Sequence, residues 1–367
     1  MRSTAPAHAS SPVTSVTAPA AAPAPEASLA FARRILPRVS RTFALSIRLL
    51  PGSLGTAVLS AYLLCRIADT IEDDHAATVA RKAELLELLV AALDDPAAAG
   101  RLAGAAPELV AGDAAHVELV AGAPHVLAVY RSLPERSRLR VRHWVTEMVH
   151  GMEKFVRLYP QGIRIRTLPE YKEYCYYVAG TVGHLLTDLW HEHTRSIGVA
   201  EYRALWRKCR AFGEALQTVN ILKDIAWDAR HENAIYVPEQ SLREHGSSHG
   251  TLLSPAHAAQ NHAALAELIE LAWRDLDQAL DYFVTLPRRA VSVRAFCLLP
   301  LLFAFATLRD LTRSRAMLRE GGTVKISRAE VRSLMVAGLL LVGSNRAIRW
   351  LAARVRRRPF LLVPRAA

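Results

Sequence analysis

The stretch Leu59-Ser60-Ala61-Tyr62-Leu63-Leu64-Cys65-Arg66-Ile67-Ala68-Asp69-Thr70-Ile71-Glu72-Asp73-Asp74 decides how this chain is read. Its first ten residues are strongly apolar. Asp69, Glu72 and Asp73 then stand at i, i+3 and i+4, so on a helix their carboxylates share one face. Like charges at that spacing repel by ~0.2–0.5 kcal/mol per pair. A second segment repeats the pattern, with Asp224 and Asp228 after the apolar run Phe212 to Leu222. Carboxylates gathered beside apolar surface are unfavourable unless a cation joins them, and hard oxygen ligands in this number suit Mg²⁺ carrying a phosphate-rich substrate. These residues predict a diphosphate-handling enzyme.

Outward from the two segments, apolar residues recur at helical periods with no sustained period-two alternation, which predicts an all-α fold. Helices are expected over 27–39, 54–74, 77–94, 116–129, 134–158, 168–190, 199–230, 257–285, 290–319 and 328–356. Pro51-Gly52, Asp95-Pro96, Pro160-Gln161-Gly162, Pro238, Pro287 and Gly321-Gly322 punctuate them. Residues 1–27 form an Ala/Pro-rich leader without the large apolar side chains needed to order it. It lacks the continuous apolar stretch of a secretory signal, leaves an organellar transit role open, and makes a cytoplasmic location the default. A catalytic body over 28–351 and a basic tail over 352–367 complete the expected organisation.

Hydrophobic residues are 51% and charged residues 22% of the chain, with 18 Gly. That composition suits a soluble helical protein better than a β-sandwich. Cys65, Cys175, Cys209 and Cys297 are far apart and form no CxxC pair, so free thiols are expected and structural zinc is not. The net charge of +12, from 46 Lys and Arg against 34 Asp and Glu, favours anionic partners. The basic residues are scattered and match no nucleic-acid reader motif, so no nucleic-acid partner is expected. The apolar segment Leu334 to Val342 precedes Arg354, Arg356, Arg357 and Arg358. It is shorter than the ~20 residues that span a bilayer but could lie against one; the plainer reading is a core helix with a solvated tail.

Gln217, Asn220, Asp224 and Asp228 are three, four and four residues apart, a polar stripe on an otherwise apolar helix. Such a stripe is expected to line an internal cavity, although a solvated face has the same spacing. Two acidic helices facing each other would make a carboxylate mouth above an apolar pocket, suited to a diphosphate head and a hydrocarbon tail. Arg66, three residues before Asp69, together with Arg41 and Lys223, could neutralise charge on a leaving diphosphate; Arg41 reads equally as a surface residue. In the run from Tyr171 to Gly183, Tyr174 could stabilise a carbocation or relay a proton, or simply pack in the core. Gly180 and Gly183 each cost ~1 kcal/mol against Ala in a helix, so close packing or room for a long chain must compensate.

Four ordered segments, Ser40-Arg41-Thr42-Phe43, Arg66 to Asp74, Tyr174 to Gly183, and Asn220 through Asp228, resemble the signatures of the squalene and phytoene synthases, the head-to-head trans-prenyl transferases. Glu173-Tyr174-Cys175, Ala295-Phe296-Cys297 and Val324-Lys325-Ile326 resemble the squalene synthase branch. The resemblance implies an isoprenoid-synthase-type helical bundle around a central cavity. It also implies condensation of two farnesyl diphosphates to presqualene diphosphate, followed by reduction with NADPH. By position, Asp69, Glu72, Asp73, Asp224 and Asp228 would bind Mg²⁺. Ser40, Arg41, Arg66, Gln217, Asn220, Lys223 and Lys325 would contact substrate or cofactor. Tyr174, Arg66 and Phe296 would act in catalysis.

The chain also departs from that pattern. Lys223 stands where squalene synthases usually carry Arg, which loses the planar bidentate fork. Ser327 replaces the Arg of a usual Lys-Ile-Arg, leaving Arg328 as the substitute for an NADPH-phosphate contact. Ala234-Ile235-Tyr236-Val237-Pro238 resembles the phytoene synthase form of its loop, and Leu301 replaces a pocket glutamine. The hydrophobic carboxy-terminal anchor of eukaryotic squalene synthases is missing, so membrane contact is expected to be peripheral. Products without the reductive step (presqualene diphosphate, dehydrosqualene or phytoene) and a non-catalytic lipid-binding or assembly role remain the alternatives. C15 versus C20 substrate and oligomeric state are not legible.

Overall fold

The computed structural model describes residues 24–109, 114–314, 316–319, 322 and 324–362. Within them the chain runs through α1 (Pro25–Val39), α2 (Arg41–Ile47), α3 (Gly52–Glu72), α4 (Val79–Asp94), α5 (Pro96–Ala105), α6 (Ala114–Ala121), α7 (Ala123–Arg131) and α8 (Glu135–Leu158). Then follow α9 (Leu168–Cys175), α10 (Thr181–His193), α11 (Val199–Trp206), α12 (Cys209–Trp227), α13 (Glu239–Glu244), α14 (Ala258–Thr285), α15 (Val291–Arg313), α16 (Arg328–Leu341) and α17 (Asn345–Arg357). Two π turns interrupt the regular helices, Tyr176–Gly180 between α9 and α10 and Asp228–Glu232 after α12. Among the described residues the sole β pairing is an isolated bridge between Arg164 and Ile235, so the protein is all-α.

Several boundaries differ from expectation, each for a local reason. Residues 1–23 of the leader lie outside the described residues, whereas Pro25 already opens α1. Residues 352–357 of the expected tail belong to α17, because Ile348, Leu351, Ala352 and Val355 bury its inner face. Asp95-Pro96 is not only a break. Asp95 accepts from the backbone N–H of Ala97 and Ala98, and Pro96 begins α5 where its missing N–H costs nothing. Pro124, at the second position of α7, splits the expected 116–129 helix, and Ser344 caps α17 where a continuous 328–356 helix was expected.

α3 and α15 are long and apolar enough to cross a membrane by length and composition, but 67% and 78% of their apolar windows are buried in the bundle. Their greasy faces are used by the core. The contact that most constrains the site lies where α10 and its preceding π turn cross α12. A Cβ on Gly183 would meet the Cys209 carbonyl oxygen at 2.0 Å, and one on Gly213 would meet that of Ala179 at 2.0 Å. Gly183 therefore serves close backbone packing rather than space for a long chain, and Gly180 is similarly filled by Tyr176 and Arg210.

Candidate active site

The last turn of α3 carries Asp69, Glu72 and Asp73, and the end of α12 with its π turn carries Asp224, Asp228 and Glu232. The two acidic walls stand within electrostatic reach of each other. Burial, then Glu232 across the gap, then Glu72 and Asp69, push the Asp73 carboxyl well above its usual range. Burial and the neighbouring Asp69 raise Glu72 to about 8, against a pull from Lys82. Asp228 is raised to about 9 by burial and by Glu232 and Asp224. Without a cation, both favour the protonated form near neutral pH.

A cavity of about 120 Å³ opens between the walls, lined by Glu72, Asp73, Lys82, Tyr159, Glu232 and Tyr236 among others. Glu72 is 5% exposed, and its Oε1 has no hydrogen-bond partner. Lys82 Nζ donates to the Glu72 carbonyl at 2.5 Å, capping the C-terminus of α3 with positive charge. Asp74, buried, accepts from the N–H of Ala76 and Ala77.

Tyr174, buried on α9, reaches Tyr236 Oη at 3.2 Å and Glu72 Oε2 at 3.4 Å. Its ring stacks on Tyr236 at 4.9 Å and meets the edge of Phe155 at 5.1 Å. Tyr236 is held by a clamp between two loops. Ile235 N donates to the Ile163 carbonyl, Ile165 N to the Ile235 carbonyl, and Arg164 to the carbonyl of Asn233, whose φ of 51° ends the π turn. Beyond the clamp lies a wider cleft of about 760 Å³ lined by Arg164, Arg166 and Arg243. Its cations are already engaged: Arg164 with Asn233, Arg166 over the Tyr159 ring, and Arg243 with Glu239.

At the outer rim, Arg66 donates to Asp69 at 3.2 Å and to His116 Nε2 at 3.2 Å, and Lys223 pairs with Asp224 at 2.9 Å. Ser40 caps α2 through the N–H of Phe43, and Arg41 opens that helix. Tyr62 on α3 feels Arg66, Ser40 and Asp69 together, which brings the start of α2 to this rim.

The polar stripe of α12 is not enclosed as expected. Asn220 is exposed and Gln217 and Asp224 are half-buried, so this part opens to solvent where ionised groups keep their hydration; Asp228 alone is buried. Phe296 sits in the core against Trp190, ring centroids 5.2 Å apart. Lys325 is exposed, and Ser327 is committed to capping α16 through the N–H of Glu330. Neither Phe296 nor Lys325 lines the acidic cavity. Sequence reasoning missed Glu232, Tyr236, Lys82, His116 and Tyr62 as site residues. Glu232 had a signal, because Asn220, Asp224, Asp228 and Glu232 form an unbroken i, i+4 ladder.

Among the described residues no three His, Cys, Asp or Glu side chains stand close enough to form a ready metal cluster. The donor set nevertheless fits Mg²⁺. That ion takes one or two carboxylates and completes its shell with water and substrate phosphates, and here uncompensated carboxylates and an orphaned Glu72 oxygen await positive charge.

The squalene/phytoene synthase family model matches residues 36–330. The chain belongs to this family. Squalene synthase from Schizosaccharomyces pombe is 26% identical over 84% of the chain and 66% of its own length, and that of Bos taurus is 27% identical over 84% and 69%. The chain thus spans about two thirds of the length of these relatives. A ligand-bound TcSQS structure superposes with a TM-score of 0.76 at 23% identity, covering 92% of this chain and 94% of that one. A ligand-bound dehydrosqualene synthase gives 0.59 at 18% identity, covering 91% and 98%. These likenesses establish the helical isoprenoid synthase fold, and family membership makes the chain a prenyltransferase-type enzyme of isoprenoid biosynthesis.

Proposed function

We propose that this enzyme condenses two farnesyl diphosphates head-to-head to presqualene diphosphate and reduces it with NADPH to squalene, working in the cytoplasm. The observation that carries the reading is the approach of two acidic walls, α3 and the end of α12, to a shared polar cavity. The squalene synthases among its relatives supply the product class.

Asp69, Glu72 and Asp73 on one side, and Asp224 and Asp228 on the other, would hold Mg²⁺. When bound, the metal supplies positive charge for the diphosphate leaving groups. Arg66 and Lys223, each already beside a carboxylate at the rim, turn toward the phosphate oxygens and orient them; Gln217 and Asn220 extend the same polar stripe, and Arg41, at the first position of α2, would contact substrate as well. In the first half-reaction the C1–O bond of one substrate breaks, the double bond of the second closes on that carbon, and one proton leaves as the cyclopropane forms. Tyr174 Oη, hydrogen-bonded to Tyr236, would relay that proton to the departing diphosphate.

For the reductive half, Lys325 and Arg328 are exposed cations at the N-terminus of α16, a donor set suited to a cofactor phosphate. Phe296 packs in the core on Trp190, toward the other end of α15 from these cations. A second reading, in which the reaction stops at presqualene diphosphate or dehydrosqualene, is favoured by one specific feature: Ser327, in the position of an expected cation, is used up as a helix cap.

The test is incubation of purified protein with farnesyl diphosphate and Mg²⁺, with and without NADPH, followed by product identification. Squalene only in the NADPH tube is the expected result. The same product in both tubes refutes the reductase reading. No product from farnesyl diphosphate, but turnover of geranylgeranyl diphosphate, refutes the substrate assignment.

A further inference from the structure

Large apolar residues exposed elsewhere, such as Val199, Trp227 and Val291, are scattered, and the two on α8, Leu139 and Leu158, stand near opposite ends of that helix. The last three segments are different. Val336, Leu339 and Leu340, at 48%, 38% and 79% exposure, stand at i, i+3 and i+4 on α16, while Trp350 on α17 is 59% and Leu362 50% exposed. Both helices pack on α15 and on each other, α16 through Leu334, Ala337 and Gly338 and α17 through Ile348, Leu351 and Val355. Their opposite faces therefore point away from the bundle side by side, and no described residue covers them.

Charge decides what kind of surface these faces fit. From Arg328 to Arg358 the chain carries eight Arg and one acidic residue, Glu330. That Glu is buried and bound to Arg309, so it offsets nothing at the surface. Arg349 and Arg356 are paired with Asp281 and Asp277 of α14. Arg332, Arg346, Arg357 and Arg358 are exposed and have no ion pair among the described residues. Arg346, Arg349, Trp350, Ala353 and Arg357 follow the 3.6-residue period, so arginines and an indole alternate along the outer face of α17 beside the apolar stripe of α16.

We infer that the outer face of α16 and α17 is a docking surface for an anionic lipid bilayer, with Leu339, Leu340 and Trp350 entering the headgroup boundary and the unpaired arginines contacting lipid phosphates. An amphipathic face rimmed by Arg and anchored by Trp is the composition that lies in a membrane interface, where neutral lipid alone gives weak binding and anionic lipid adds long-range attraction. A second copy of the chain is the poorer occupant, because a two-fold contact would set these arginines against their own images.

The test is cosedimentation of the full chain with phosphatidylcholine vesicles and with vesicles also containing phosphatidylglycerol. It reads binding alone, so its outcome is independent of which hydrocarbon the enzyme makes. Binding to the phosphatidylglycerol vesicles that weakens with salt is expected. Leu340→Glu with Trp350→Glu should lower it at least ~10-fold, and Arg346→Glu with Arg357→Glu should lower it by a similar factor, while circular dichroism and melting temperature stay unchanged. No wild-type binding, retained binding by both variants, or a lipid-free dimer that Leu340→Glu dissociates in light scattering would each overturn the assignment.

Discussion

Two buried groups of charges in this protein are built on opposite principles. Arg309 and Glu330 join α15 to α16 through bonds of 2.7 and 3.0 Å, and Arg309 also holds Asp310. The remaining capacity is taken up as well, since Arg309 donates to the Val355 carbonyl and Phe360 N donates to Glu330 Oε1. At the acidic walls, Glu72, Asp73, Asp228 and Glu232 face one another with Lys82, Arg66 and Lys223 only at the margins, and one Glu72 oxygen is left bare. The first group is complete as folded. The second lacks positive charge, and that deficit marks the place where a ligand belongs.

The comparison breaks most visibly if the complete group is damaged. Glu330→Ala takes the two-pronged partner from Arg309, whose side chain is about 1% exposed, leaving it Asp310 and the Val355 carbonyl, and urea unfolding should show a loss of ~1.5–3 kcal/mol. The condensation half-reaction per folded molecule should be unaffected. The acidic walls should respond the other way. Asp228→Asn is expected to cut turnover ~10²–10³-fold, yet leave metal-free stability equal or higher, because a neutral amide replaces a carboxyl whose ionisation burial, Glu232 and Asp224 already oppose. If Asp228→Asn instead destabilises the protein as Glu330→Ala does, the two groups are alike and the contrast fails.

Magnesium sharpens the same point. At ~100 times its dissociation constant, Mg²⁺ with inorganic diphosphate should stabilise the wild type by ~2.7 kcal/mol, read as a rise in melting temperature. Asp228→Asn should lose most of that rise and Glu330→Ala should keep it. The smallest effect concerns the clamp. Tyr236→Phe removes one hydrogen bond to Tyr174, so stability should fall by ~0.5–1.5 kcal/mol. The condensation half-reaction should slow with little change in KM.

How far these groups could be read from sequence follows from their local patterns. The acidic walls were legible because carboxylates at i, i+3 and i+4 interrupt apolar runs, and helical periodicity placed α3, α8 and α14 closely, while α11, α12 and the π turn after it were read as one helix over 199–230. The π turns were not legible. An extra residue in a turn leaves no mark in hydropathy, yet Asp228–Glu232 brings Glu232 into the group. Tyr236 depends on a loop clamp between residues some 70 positions apart, such as Arg164 with Asn233, which no local window contains. α5 was missed because Asp95-Pro96 looks the same as a stop and as a start. The openness of the stripe at Asn220 was misjudged because periodicity reports which residues share a face, not what lies opposite them.

The crossing at Gly183 and Gly213 has one more consequence. Along α12, Gly213 precedes Asp224 by 11 residues, or ~16 Å of helix rise. With carbonyl oxygens where side chains would otherwise stand, this end of α12 cannot slide closer or draw back, and it acts as a fulcrum. A methyl group added there would tilt the far end through a lever arm several times longer than the displacement, so the reach between the acidic helices is calibrated by two hydrogen atoms remote from any reacting bond.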